Sequence, residues 1–298
     1  MFHIAHLGLS CSRHGWLANR LPAVILLITA WFLAALAPGQ LRAEFILLDN
    51  FNSGTLGGAL STSNPAWSAH SIFTVATDPT NPVNRVGSAV QASAANDQFA
   101  VLPFGVDNVI ANGTTGTVFF RMMRGPTAAT NFFGYVKSST TRATAGRRSG
   151  IGSAPGSTQP MWILSSSSSP VTTSDFTNLN QDTWYRFWVV MNNSADTFEI
   201  YSQREGTAPL SQTLLSNSFG ATQNFMDGST ADALQSLLFG QTSGGGNMDY
   251  YFDDIYIDPT ASNLAAPPIV VPEPSTILLG AVGLATLATI QSLRRRQP

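Results

Sequence analysis

Between Phe45 and Ile257 the chain repeats one pattern: four to nine residues rich in β-branched and aromatic side chains, then a cluster of Gly, Pro, Ser, Thr, Asn or Asp. The runs are 45–48, 71–76, 98–102, 117–121, 131–136, 161–164, 184–191, 196–201 and 249–257. Such runs suit a pleated, half-buried surface, and the clusters between them supply turn chemistry. Only 227–238 reads as a short helical stretch. Many short strands with frequent turns predict an all-β protein, a single jelly-roll β-sandwich over residues 44–258. Cys11 is the only cysteine, so no intramolecular disulfide can staple the fold and stability must come from the core. Charged residues make up 11% of the chain, too few for a coiled coil or charge-rich disorder, and a net charge of −2 gives no basic footprint for nucleic acid.

The two ends differ from this body. Residues 1–20 carry Arg13 and Arg20 and no acid, and they lead into an uncharged apolar run from Leu21 to Ala37. A basic start, an apolar run and the small residue Ala43 before the polar body make residues 1–43 a secretory signal peptide cut after Ala43. A retained membrane anchor is the competing reading. Removal of these residues would leave His70 as the only histidine.

Residues 259–274 contain five prolines, which predicts an extended, semi-rigid linker. Residues 275–293 carry no charge, and as a helix they would reach about 28 Å, the thickness of a bilayer core. Arg294, Arg295 and Arg296 follow at once as a basic stop in a short cytoplasmic tail, 294–298. Val271, Pro272, Glu273 and Pro274, then a single span, then three arginines, resemble the PEP-CTERM sorting tail of Gram-negative bacteria that make extracellular polysaccharide. The resemblance implies an exosortase-type membrane cysteine transpeptidase as partner, and cleavage near Pro-Glu-Pro. The protein would start as an inner-membrane-anchored precursor and end at the cell surface or in the extracellular matrix.

Within the body, 184–191 and 196–201 are spaced as a hairpin through residues 192–195. This segment, the opening 48–56 with Trp67 downstream, and the closing 252–257 resemble the concanavalin A-like, LamG-type jelly rolls. That superfamily holds enzymes, lectins and inert spacers, so fold alone does not decide function. Laminarinase-type members carry Glu-x-Asp-x-x-Glu on one strand. Around Glu199 the middle acid is replaced by Tyr201, and Glu205 stands at the wrong spacing, so Glu199 reads as the solvent side of a strand. His70 lies beside Ser71 without a nucleophile elbow, and Gly244 to Gly246 lacks the context of a dinucleotide fingerprint. Catalysis is therefore not expected.

Three non-catalytic features remain. Asp49 opens the first strand while Asp253 and Asp254 sit in the last; adjacent first and last strands would bring these oxygens together as calcium ligands. On 184–191, Trp184, Arg186 and Trp188 share one side and Tyr185, Phe187 and Val189 the other. One side must face the core, and the first set is the candidate glycan platform. Arg142, Arg147 and Arg148 read as a basic loop in a body with 16 acids and 9 bases over residues 44–271. The sequence thus leads to an exported, exosortase-sorted surface or matrix protein with a non-catalytic, glycan-associated or structural β-sandwich. The alternatives are a glycan-active hydrolase with an unrecognised site, and a specific lectin or adhesin.

Overall fold

The computed structural model describes residues 44–94, 98–126, 132–153, 161–166, 171–172, 179–206, 212–241 and 246–267. The signal peptide with Ala43, the Val271–Pro274 motif, the apolar span and Arg294 to Arg296 lie outside the described residues. Among the described residues sixteen strands, numbered in chain order, form two sheets.

The larger sheet runs β13 (Thr213–Leu214), β12 (Thr197–Arg204), β11 (Thr183–Asn192), β6 (Thr115–Arg124), β16 (Gly246–Asp258), β4 (Asn81–Ala94), β3 (Phe73–Asp78). Two short strands complete it: β1 (Ile46–Asp49) pairs with β16, and β14 (Gln223–Asn224) with β12. The smaller sheet runs β10 (Val171–Thr172), β9 (Met161–Leu164), β8 (Arg147–Ser153), β7 (Phe132–Lys137), β15 (Ser236–Gln241), β5 (Gln98–Pro103), β2 (Ser68–Ala69). All of these strand pairs are antiparallel, as in the jelly-roll β-sandwich expected from the sequence.

The inter-sheet core follows the period-2 alternation of each strand. β6 contributes Val118, Phe120 and Met122, and β11 contributes Tyr185, Phe187, Val189 and Met191; β15 faces them with Leu237 and Phe239. β12 alternates buried and half-buried residues, whereas β6 and β11 are buried on both faces. Something therefore covers the outer face of the central strands.

Two regions depart from the sequence reading. Residues 227–235 form turns and bends instead of a helix, and 236–241 is the strand β15 between β5 and β7. Strand pairing on both edges overrides a helical propensity that is weak and local. Arg147 and Arg148 are not in a loop but begin β8. Arg148 is buried and donates to the carbonyls of Asp227 and Gly228, both at 2.9 Å. Arg142 alone stays exposed.

Candidate functional site on the outer face of the larger sheet

Register places Arg121 beside Arg186 on β11 and Asp253 on β16. A bulge in β16 then does what a regular strand cannot. Phe252 and Ile255 both enter the core, and the pairing with β6 shifts between Asp253 and Tyr256. Asp254 sits at the bulge with φ +48°, a left-handed conformation that aspartate tolerates better than most residues. Two consecutive carboxylates thereby reach the same guanidinium.

Arg121 is the hub. Its Nε and one Nη donate to the two oxygens of Glu205 at 2.7 and 3.0 Å. The other Nη donates to Asp253 at 3.1 Å and Asp254 at 2.9 Å. Its plane lies 4.5 Å from the Trp184 ring centre, and Arg186 shares Glu205 at 3.0 Å. Burial alone would lower the Arg121 pKa, but the hydrogen bonds and charge of Glu205, with the charges of Asp253 and Asp254, raise it above its ordinary value. Burial, and then the neighbouring Asp254 charge, push the Asp253 carboxyl well above the usual carboxylate range; Arg121 and Asn84 offset this only in part. Burial also raises Asp254, against the pull of Arg121. Two guanidiniums thus face three carboxylates, one negative charge in excess, in the cluster where both aspartates are shifted upward.

Both tryptophans of the expected glycan platform lie on this outer face, but neither offers a ring to solvent. Trp184 is 5% exposed and donates its indole N–H to Thr80 Oγ1 at 3.0 Å, beneath Arg121. Trp188 is fully buried among Phe45, Phe119 and Tyr256. The cover is the start of the proline-rich segment. Leu264 packs on this aromatic cluster, and Trp188 Nε1 donates to the Ala265 carbonyl at 3.0 Å. Further contacts tie the segment down: Thr117 Oγ1 donates to Ala261 O at 2.8 Å and accepts from Asn263 N at 2.9 Å, while Gln212 donates to Leu264 O at 2.8 Å. Residues 261–265, the start of the segment expected to be an extended, semi-rigid linker, are thus a docked strap. The reason is an aromatic outer face whose burial outweighs the freedom of a tether. Arg186, the third platform residue, is half-buried and held by Glu205.

The expected calcium ligands are brought to neighbouring strands, since β1 pairs with β16 and Asp49 lies opposite Ile255. Their oxygens, however, have other partners. Asp49 accepts from Trp67 Nε1 and Ser63 Oγ, both at 2.7 Å, and from Phe51 N at 2.8 Å. Burial still raises its pKa against those donors. Asp253 and Asp254 are turned to Arg121. Among the described residues, no group of three or more His, Cys, Asp or Glu side chains is placed to hold a metal ion.

Arg121 and Glu205 escaped the sequence reading as a pair because they are 84 positions apart. One signal was present: an arginine between Phe119 and Met123 on the outward parity of a strand too apolar to face water.

The comparisons with known proteins bear on the two parts of the chain separately. Residues 270–296 match the PEP-CTERM protein-sorting motif. A signal of this class belongs to exported proteins. None of the curated proteins matches the chain. Among solved structures, peanut lectin is similar over 72% of this chain and 97% of its own, at 13% identity and a TM-score of 0.46. The catalytic domain of a glycoside hydrolase family 131 protein from Coprinopsis cinerea is similar over 76% of this chain and 100% of its own, at 10% identity and a TM-score of 0.45. The carbohydrate-binding module CBM66 from Bacillus subtilis is similar over 65% and 95%, at 11% identity and a TM-score of 0.34.

Proposed function

We propose that this chain is made as an exported, membrane-anchored precursor, is processed by an exosortase-type transpeptidase, and serves at the cell surface or in the extracellular matrix as a non-catalytic, glycan-associated or structural β-sandwich. The observation that carries the reading is the sorting motif over residues 270–296. The body's chemistry supports the non-catalytic part. A glycoside hydrolase needs one carboxylic acid and one available carboxylate flanking a bond, about 5–10 Å apart. On the outer face, Glu205, Asp253 and Asp254 are all engaged by Arg121. Glu199 accepts from Tyr201 OH at 3.0 Å and Thr222 Oγ1 at 2.8 Å, with no second carboxyl in that pair of contacts.

The test is to express the full chain with and without the host's exosortase and weigh the mature protein. Loss of the residues after the Pro-Glu-Pro only when the enzyme is present is expected. An intact tail in both strains would overturn the sorting reading. Release of reducing sugar from matrix polysaccharide by the purified mature protein would overturn the non-catalytic one.

A further inference from the structure

At the other end of the same outer face, the β11–β12 hairpin and the strap line a half-open cavity of about 290 Å³. It is lined by Thr115, Val190, Asn192, Glu199, Thr222 and Ser262 among others. We infer that this cavity is a binding site for one neutral sugar unit, with the C-terminal strap as one of its walls. The inference deepens the glycan reading above and rests on it.

Each wall has a chemical reason. Val190 is buried and gives an apolar floor, suited to the C–H face of a pyranose ring. Asn192 Oδ1 already accepts from Ser194 N at 3.2 Å and Ala195 N at 3.1 Å in the hairpin turn, so its amide NH2 is the end that can donate to a ligand. Each Glu199 oxygen takes one hydrogen bond, from Tyr201 or Thr222, which orients the carboxylate and leaves further lone pairs to accept from a hydroxyl. The hydroxyls of Thr115 and Ser262 can both give and take, while that of Thr222, which already donates to Glu199, can accept. Donors and acceptors together beside a small apolar surface match a polyol. Glu199 is the charged member of the lining, so uronic acids and phosphorylated sugars meet a like charge. The volume, at the low end for ligand pockets, limits the site to a single unit or a chain end.

Ser262 makes the site depend on the strap. It is exposed and sits between Ala261 and Asn263, the two residues tied to Thr117. The wall that contacts sugar is therefore built by the segment that leads to the sorting motif.

The mature protein, purified from the producing cell, should be titrated by calorimetry and saturation-transfer NMR with glucose, galactose, mannose, N-acetylglucosamine and glucuronate. Saturable binding of at least one neutral sugar is expected, with glucuronate weaker by about tenfold or more. Ser262→Trp, which fills the cavity from an exposed position, should abolish that binding without moving the melting midpoint. Glu199→Gln should weaken the neutral sugar about tenfold and narrow the gap to glucuronate, a change in selectivity that loss of fold would not produce. Val106→Ala, at a position 88% exposed, is the control. Neutral-sugar binding that survives Ser262→Trp would refute this site while leaving the glycan reading standing. Absence of binding to all five probes would refute the site and the glycan reading together.

Discussion

Replacing Arg121 with Met tests the electrostatics of the outer face. The substitution keeps a side chain of similar length over Trp184 and removes the charge that Glu205, Asp253 and Asp254 share. Arg186 remains to hold Glu205. The aspartates are 2% and 7% exposed at their side chains, too buried to stay charged without a partner. Both carboxyls are already pushed above the ordinary carboxylate range, and the buried carboxylate that Arg121 balanced must take up a proton in the variant. Starting from the ordinary aspartate pKa of 3.8, protonation at pH 7 costs at most about 1.36 × (7 − 3.8), or ~4.4 kcal/mol. At pH 4.5 the same step costs only about 1 kcal/mol. The expected loss of stability is about 3–4 kcal/mol at pH 7, within the range for breaking a buried ion pair, shrinking to about 1 kcal/mol at pH 4.5. Urea denaturation of the mature protein, followed by tryptophan fluorescence at both pH values, measures the two losses. Equal losses at the two pH values would show that Arg121 acts through packing on Trp184, and a loss under about 1 kcal/mol at pH 7 would refute the buried-charge reasoning.

Three other outcomes follow from the same contacts. Asp253 has its folded pKa raised above its unfolded value, so its contribution to stability is present below pH 3.8 and is lost as pH rises through the folded pKa; Asp253→Asn should flatten that decline above pH 3.8, and urea midpoints that stay parallel to the unsubstituted protein would disprove it. A Cβ at Gly87 would run into the Phe252 ring, and that ring is stacked at 4.5 Å on Phe239 and edge-on to Phe51 at 5.5 Å, so Gly87→Ala should cost about 1–3 kcal/mol and lower the melting midpoint by at least about 3 °C. Because Asp49, Asp253 and Asp254 already hold Trp67, Ser63 and Arg121, adding a chelator should leave the melting midpoint unchanged, and a fall would point to a bound structural ion.

Much of the sandwich was legible because period-2 patterning is local. The division of β11 into Tyr185, Phe187 and Val189 against Trp184, Arg186 and Trp188 follows from the pleat, and the structure places the first set in the inter-sheet core. β4 was not legible. It has no aromatic residue and contains Pro82 and Gly87, and it is a strand because it fits between β3 and β16, where Gly87 opposes Phe252 and Val75. The site was less legible still, because the bulge at Asp254 shifts the parity by one residue and no spacing in the chain reports that shift.

The order of residues by itself determined the strand-rich core and the character of the two ends, for those depend on hydrophobic period, proline content and the motif at 270–296. Only the tertiary structure decided that Arg121 gathers three carboxylates and that the strap over Trp188 closes the aromatic face and walls the cavity beside β11. The physical reason is distance along the chain. Trp188 and Ala265 lie 77 positions apart and Arg121 and Asp254 lie 133 apart, so each contact exists only once strand register has brought the two together.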